Sequence, residues 1–186
     1  MITQYFRSLS TRFTLAVLMG LCLLSSLSAT ASAQVFRWDI ITFNAQGQPV
    51  PGGKASALAD NVGGRIASIT LTGSGTFDIS NVSDVTGGGT YIVRNFPNGS
   101  VLSSGTYQVT QLVHFQPTPI APGTNILGGL AVLGITYSDG SKGIIVVNCG
   151  VNAPPQVTEG VTTTKGTVDY WSIQGGFTLF HKGTTF

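Results

Sequence analysis

The chain has 186 residues, of which only 9% are charged, with nine Lys and Arg against seven Asp and Glu. No basic face, tail or run offers itself to a phosphate backbone, which excludes a nucleic-acid binder. A 42% hydrophobic share together with 25 glycines equally excludes a charge-rich disordered chain.

The first stretch reads as a leader. Arg7 and Arg12 supply a positive start, Phe13 to Leu27 is an uncharged apolar run, and Ala31-Ser32-Ala33 is an A-x-A cleavage signal. Together they predict a secretory signal peptide over residues 1–33, cut between Ala33 and Gln34. The run is short for a membrane span, which needs about 20 apolar residues, and no span is expected after the leader is removed. Leu21, ahead of Cys22, does not suit lipoprotein processing. The expected location is secreted or periplasmic. Residues 34–186 then form a single domain with room for a sizeable core. Arg7 and Arg12 go with the leader, so the remainder carries seven basic and seven acidic side chains. Cys22 goes too. Cys149 is left alone, and no disulfide partner is expected.

In chain order, Gln34 to Phe43 alternates: Phe36, Trp38 and Ile40 on one face, Arg37 and Asp39 on the other, the pattern of a half-buried strand. Asn44 to Gly53 is a loop. Lys54 to Asp60 alternates again and aligns Ala55, Ala57 and Ala59, a stripe small enough for a close neighbour. Asn61-Val62-Gly63-Gly64 turns the chain into Arg65 to Thr72, with Ala67, Ile69 and Leu71 on one face. Three Gly-Thr-aromatic units follow: Gly75-Thr76-Phe77, Gly89-Thr90-Tyr91 and Gly105-Thr106-Tyr107. Glycine inside a strand marks a bulge, a bend or a close approach, while threonine and aromatics suit a pleated surface. The expectation is one bend per strand in a meander.

Phe96 to Ser100 is a turn. Thr106 to Phe115 alternates, placing Tyr107, Val109, Val113 and Phe115 on one face with Gln111 interrupting it. Pro117, Pro119 and Pro122 break the chain into its longest irregular stretch, the expected crossover or site rim. Leu127 to Gly150 reads as a central hairpin. Asp139-Gly140 suits a two-residue type I′ turn, which pairs Leu133 with Val146 and Leu130 with Cys149. Its apolar residues lie on both faces, so both faces are expected to be covered. Val157 to Lys165, Thr167 to Trp171 and Phe177 to His181 are further strands. No stretch after the leader has helical periodicity. The fold class is therefore all-β, a single antiparallel domain over residues 34–186, built as a two-sheet sandwich or, alternatively, a closed or partly closed β-barrel.

Titratable groups after the leader are few: His114, His181, Glu159 and six aspartates. No metal, phosphate-loop or nucleophile-elbow motif is present, so no catalytic, cofactor-binding or metal-binding residue is assigned and no cofactor is expected. His114 lies on a polar face and reads as exposed, with a general-base role beside Asp169 or Glu159 as the alternative. His181 reads as a partly buried partner of a backbone carbonyl. A zinc site from both histidines, Cys149 and a carboxylate has no local spacing behind it. Asp60, Asp84 and Asp139 read as turn residues. Asn81-Val82-Ser83 and Asn98-Gly99-Ser100 match the glycosylation sequon. Cys149 reads as a buried, inert thiol.

The runs GSGTF, VTGGGTY and SSGTYQVT, followed by GLAVLGITYSDGSKGIIVV and EGVTTTKGTVDYW, resemble a group of small secreted bacterial β-proteins of uncharacterised function. The resemblance implies a single secreted domain and carries no activity. Two functions fit the residues. One is a secreted, non-catalytic β-module that binds a small molecule, a glycan or a surface through Trp38, Trp171 and the tyrosines. The other is a small β-barrel enzyme of isomerase or cyclase type acting on an apolar molecule. N-terminal sequencing of exported protein is expected to begin at Gln34; a full-length chain held in the membrane would sink the leader reading.

Overall fold

The computed structural model describes residues 33–62 and 65–186. The leader reading before Ala33 and the Gly63-Gly64 part of the predicted turn lie outside the described residues.

Fifteen strands and no helix make up the described residues. They are β1 (Val35–Phe43), β2 (Pro49–Pro51), β3 (Ala55–Val62), β4 (Arg65–Leu71) and β5 (Ser74–Asp78). Then come β6 (Asn81–Val85), β7 (Gly88–Asn95), β8 (Val101–Pro117), β9 (Ile126–Leu127) and β10 (Gly129–Tyr137). The chain finishes with β11 (Lys142–Cys149), β12 (Gly160–Lys165), β13 (Val168–Tyr170), β14 (Ser172–Gly175) and β15 (Phe177–Lys182). Short β2, β6, β9 and β14 carry too few residues to show a period, and the sequence did not mark them. Asp84 lies inside β6 and Asp60 inside β3, not in turns.

All strands hydrogen-bond into one antiparallel sheet, ordered β13-β12-β11-β10-β8-β7-β5-β1-β15-β9. A branch at β7 adds β4, β3 and β14. The sheet does not close into a barrel; the domain is all-β and sandwich-like. Its halves face each other across aromatic rings. Phe115 on β8 meets Phe36, Phe77 and Phe180 on β1, β5 and β15 at centroid distances of 4.9, 4.8 and 5.2 Å. Trp38, Phe77 and Phe180 are fully buried, and burying each phenylalanine contributes about 1.5–3 kcal/mol. The alanine stripe of β3 is buried too, opposite Leu71, Ile69 and Ala67 of β4.

The Gly-Thr-aromatic units occupy three strands that are consecutive in the sheet, β5, β7 and β8. Each aromatic points into the core: Phe77, Tyr91 and Tyr107 are buried. Thr90 and Thr76 point outward and pair with Thr72 and Thr86, Oγ1 to Oγ1 at 2.8 Å in both cases. The glycines take close neighbours. A Cβ on Gly89 would lie 1.8 Å from the Thr72 carbonyl oxygen, and one on Gly75 would lie 2.2 Å from that of Thr86.

The central hairpin forms, but one residue away from the expected register. Leu133 pairs with Ile145, Leu130 with Asn148 and Gly129 with Cys149. The turn holds three residues, Ser138-Asp139-Gly140, closed by Gly140 N–H to Tyr137 O at 2.9 Å and Tyr137 N–H to Ser141 O at 2.9 Å. A type I′ turn needs positive φ at both central residues. Only Gly140 has it, at 84°, while the Asp139 carboxylate accepts from Ser141 N–H at 3.0 Å and Ser141 Oγ at 2.7 Å. That local bonding holds Asp139 in the ordinary region, and the third loop residue follows. The observed register puts Ala131, Leu133, Ile145, Val147 and Cys149 on the core face, all buried. The opposite face is not covered as expected: Leu130, Val132 and Val146 are half-buried and Ile144 is exposed.

β8 also departs from simple alternation. Its register against β10 shifts twice, leaving Thr110 and Val113 as extra residues. Each bulge turns the following side chains over. Leu112 therefore enters the core in place of Val113, which is 53% exposed, and Phe115 regains the inner face. Gln111 marks the disturbance.

Leu133 is fully buried between β8 and β11. Leu133→Ala is expected to cost on the order of 2–5 kcal/mol in urea unfolding; a loss under about 0.5 kcal/mol would mean a peripheral strand.

Candidate functional site

The outer face of β8, β10 and β11 carries a groove of about 910 Å³, a volume that suits a ligand. Strand register builds its floor. Gln116 pairs with Leu130 and Leu130 with Asn148, so these side chains lie abreast, one step beyond His114 paired with Val132. The segments 117–119 and 152–158 flank the floor. Two hydrogen bonds tie the flanks together: Asn152 Nδ2 to Pro119 O at 3.1 Å and Thr118 Oγ1 to Val151 O at 2.8 Å. Asn152, with φ of 52°, is the one non-glycine residue among the described residues in the left-handed region. Asparagine tolerates that conformation, and the side chain is thereby aimed across the gap.

The lining is neutral. It offers side-chain amides, threonine hydroxyls, prolines, Leu130 and Val157, and His114 is its one titratable side chain. His114 is exposed, as its place on the polar face predicts. Glu159 does not line the groove. Its carboxylate instead accepts from Gly150 N–H at 2.5 Å, Thr178 N–H at 2.7 Å and Thr178 Oγ1 at 2.8 Å. Those bonds pin the end of β11 to β15, a structural clamp without a cation. The general-base pairing of His114 with Glu159 is therefore not assembled.

The aromatics expected at a binding surface lie elsewhere. Trp38, Tyr91, Tyr107, Tyr137 and Tyr170 are buried core residues, whereas Trp171 is 57% exposed but does not line the groove. Tyr91 and Tyr137 pack edge to face at 4.9 Å. Lys165 lies over both rings, 5.2 and 5.0 Å from their centroids, and is ion-paired to Asp139. Lys165 and then Ser141 hold the Asp139 carboxyl well below the usual carboxylate range. The cluster staples the hairpin turn to β12.

A second polar cluster was not foreseen. Asp39 is fully buried and held by Arg37 through Nε to Oδ2 and Nη2 to Oδ1, both at 2.7 Å. Arg37 also donates to Thr184 O at 3.4 Å, and the Phe186 ring lies 4.7 Å from that of His181. His181, opposite Arg37 on β15, is buried, and its Nδ1 has no hydrogen-bond partner. The carbonyl partner expected for His181 is thus not there; the ring is held by packing, and burial lowers its pKa.

Cys149 is fully buried on the core face opposite Gly129. Burial raises its thiol from the ordinary 9.0 to about 11, and the Glu159 charge adds to the rise. Burial also pushes Tyr137 up to about 12. Groups whose pKa is higher folded than unfolded favour the fold while protonated. Their contribution is whole below the unfolded value and is lost as pH climbs through the folded one. Unfolding free energy is therefore expected to fall between pH 9.0 and about 11, with a shallower fall in Cys149→Ala. Thiol labelling of the native domain at neutral pH should be slow and become fast only on unfolding; rapid native labelling, or a reducible dimer on a gel, would overturn the inert-thiol assignment.

Comparison with protein families, with curated proteins and with solved structures finds no match for this chain.

Proposed function

We propose that the protein is exported through its N-terminal leader, to the periplasm or the medium, and acts there as a non-catalytic binding module for an uncharged glycan. The observation that carries this reading is the lining of the outer-face groove: amides, hydroxyls and prolines, with no carboxylate and no lysine or arginine. Each amide presents a donor and an acceptor, and each hydroxyl does both. Such a surface complements sugar hydroxyls, which also donate and accept. A charged ligand would leave its charge unpaired there, at a cost in desolvation. The tied flanks support the same reading, because a groove held open before binding loses little entropy on binding.

The enzyme alternative called for histidine, tyrosine and carboxylate groups converging in an apolar cavity. The groove brings His114 together with neither, and the tyrosines pack into the core. Binding without chemistry is the better-supported function.

On an array of neutral glycans the protein is expected to bind, and Asn148→Ala to weaken the best binder by about tenfold, equivalent to about 1.4 kcal/mol, without a change in unfolding midpoint. Unaltered binding in that variant would remove the groove from consideration.

A further inference from the structure

The groove does not end at His114. The same outer face holds a second hollow of about 280 Å³, over Gly134 and bordered by Thr110, Gln111, Thr136, Lys142 and Ile144. Gly134 lies beside Gln111 on β8 and Ile144 on β11, and with no side chain of its own it leaves the depression. A Cβ there would lie 2.8 Å from Gln111 Cγ. Between groove and hollow run Val132 and its partner Val146, half-buried and uncharged. From Leu130 to Thr136 the strip spans six residue-to-residue steps, about 20 Å at about 3.3 Å each.

Resting on the glycan reading of the groove, we infer that the ligand is a linear, uncharged polysaccharide lying along β10, with one end between the flanks and the other in the hollow over Gly134. Its form follows from the floor. The strip runs along one strand, and its two depressions are joined by the apolar Val132–Val146 pair, which suits the C–H faces of successive sugar rings. A second copy of the chain does not fit as well. Two sheets pack face to face at about 10 Å, and the segments 117–119 and 152–158 stand in the way at one end. An extended peptide also fits less well, because a sheet face, unlike an edge, offers no row of backbone partners for its amides. Lys142 at the far end, the one cation bordering either depression, can donate to a hydroxyl oxygen.

The test compares disaccharides with octasaccharides of neutral glucans, xylans and mannans by calorimetry, using the whole exported protein. The longer chain of the preferred sugar is expected to bind at least about tenfold tighter. Gly134→Val, which fills the hollow, should erase that advantage and leave disaccharide binding intact. Ile144→Arg, at an exposed position, should do the same without touching the core. Equal affinity for short and long chains, or an advantage that survives both variants, overturns the extended site while the groove stands. No binding of any neutral saccharide overturns both readings, and selective capture of an uncharged peptide from a peptide array overturns the polysaccharide assignment.

Discussion

Backbones in the middle of this sheet approach more closely than side chains permit, and glycines alone make that possible. A Cβ on Gly87 would lie 2.1 Å from Ser74 O, and one on Gly88 would lie 2.1 Å from Tyr107 O; Gly75 and Gly89 face carbonyls in the same way. At this seam β7 exchanges neighbours. Its later residues pair with β4, while Gly88 pairs with Ser74 of β5. The exchange lets one hydrogen-bonded sheet divide and turn its halves toward each other. The aromatic core between the halves, and the outward face that bears the groove, both follow from it. Substituting any one of these glycines would force the facing backbone carbonyl of a neighbouring segment aside.

Much of this was legible in the chain. The strands with clean alternation, the alanine stripe and the Gly-Thr-aromatic units lie where their patterns put them, since period and packing agree there. The proline-broken stretch after Pro117 does rim the outer-face groove. Three things were not legible. The hairpin register hung on whether Asp139 would take positive φ, and the competing bond to Ser141 decided against it. The bulges at Thr110 and Val113 carry no glycine to announce them. Asp39 looked like a surface residue because β15, which pairs Leu179 with it and His181 with Arg37, lies about 140 residues away in sequence.

The distribution of charge separates the molecule's two faces of chemistry. Several of the charges are spent on architecture. Arg37 holds Asp39, Lys165 holds Asp139, and Glu159 is satisfied by backbone and hydroxyl donors. The Arg37–Asp39 pair, with Asp39 fully buried, gives little net stability but makes the loss of Arg37 costly. The groove, by contrast, is lined by no carboxylate, lysine or arginine, and its amides and hydroxyls are not taken up by ion pairs. Scarcity of charge in the composition is in this sense a property of the groove and not only of the core.

β1 and β15 lie side by side and antiparallel, with Gly183 N–H bonded to Val35 O at 2.8 Å and Phe36 paired with Lys182. The two ends of the domain therefore leave it at one corner. Tension applied through them would act across the first pair of strands one hydrogen bond at a time, as in opening a zip, and not along all of them together in shear. A domain loaded in that way yields at low force. It is poorly suited to serving as a link in a chain under tension.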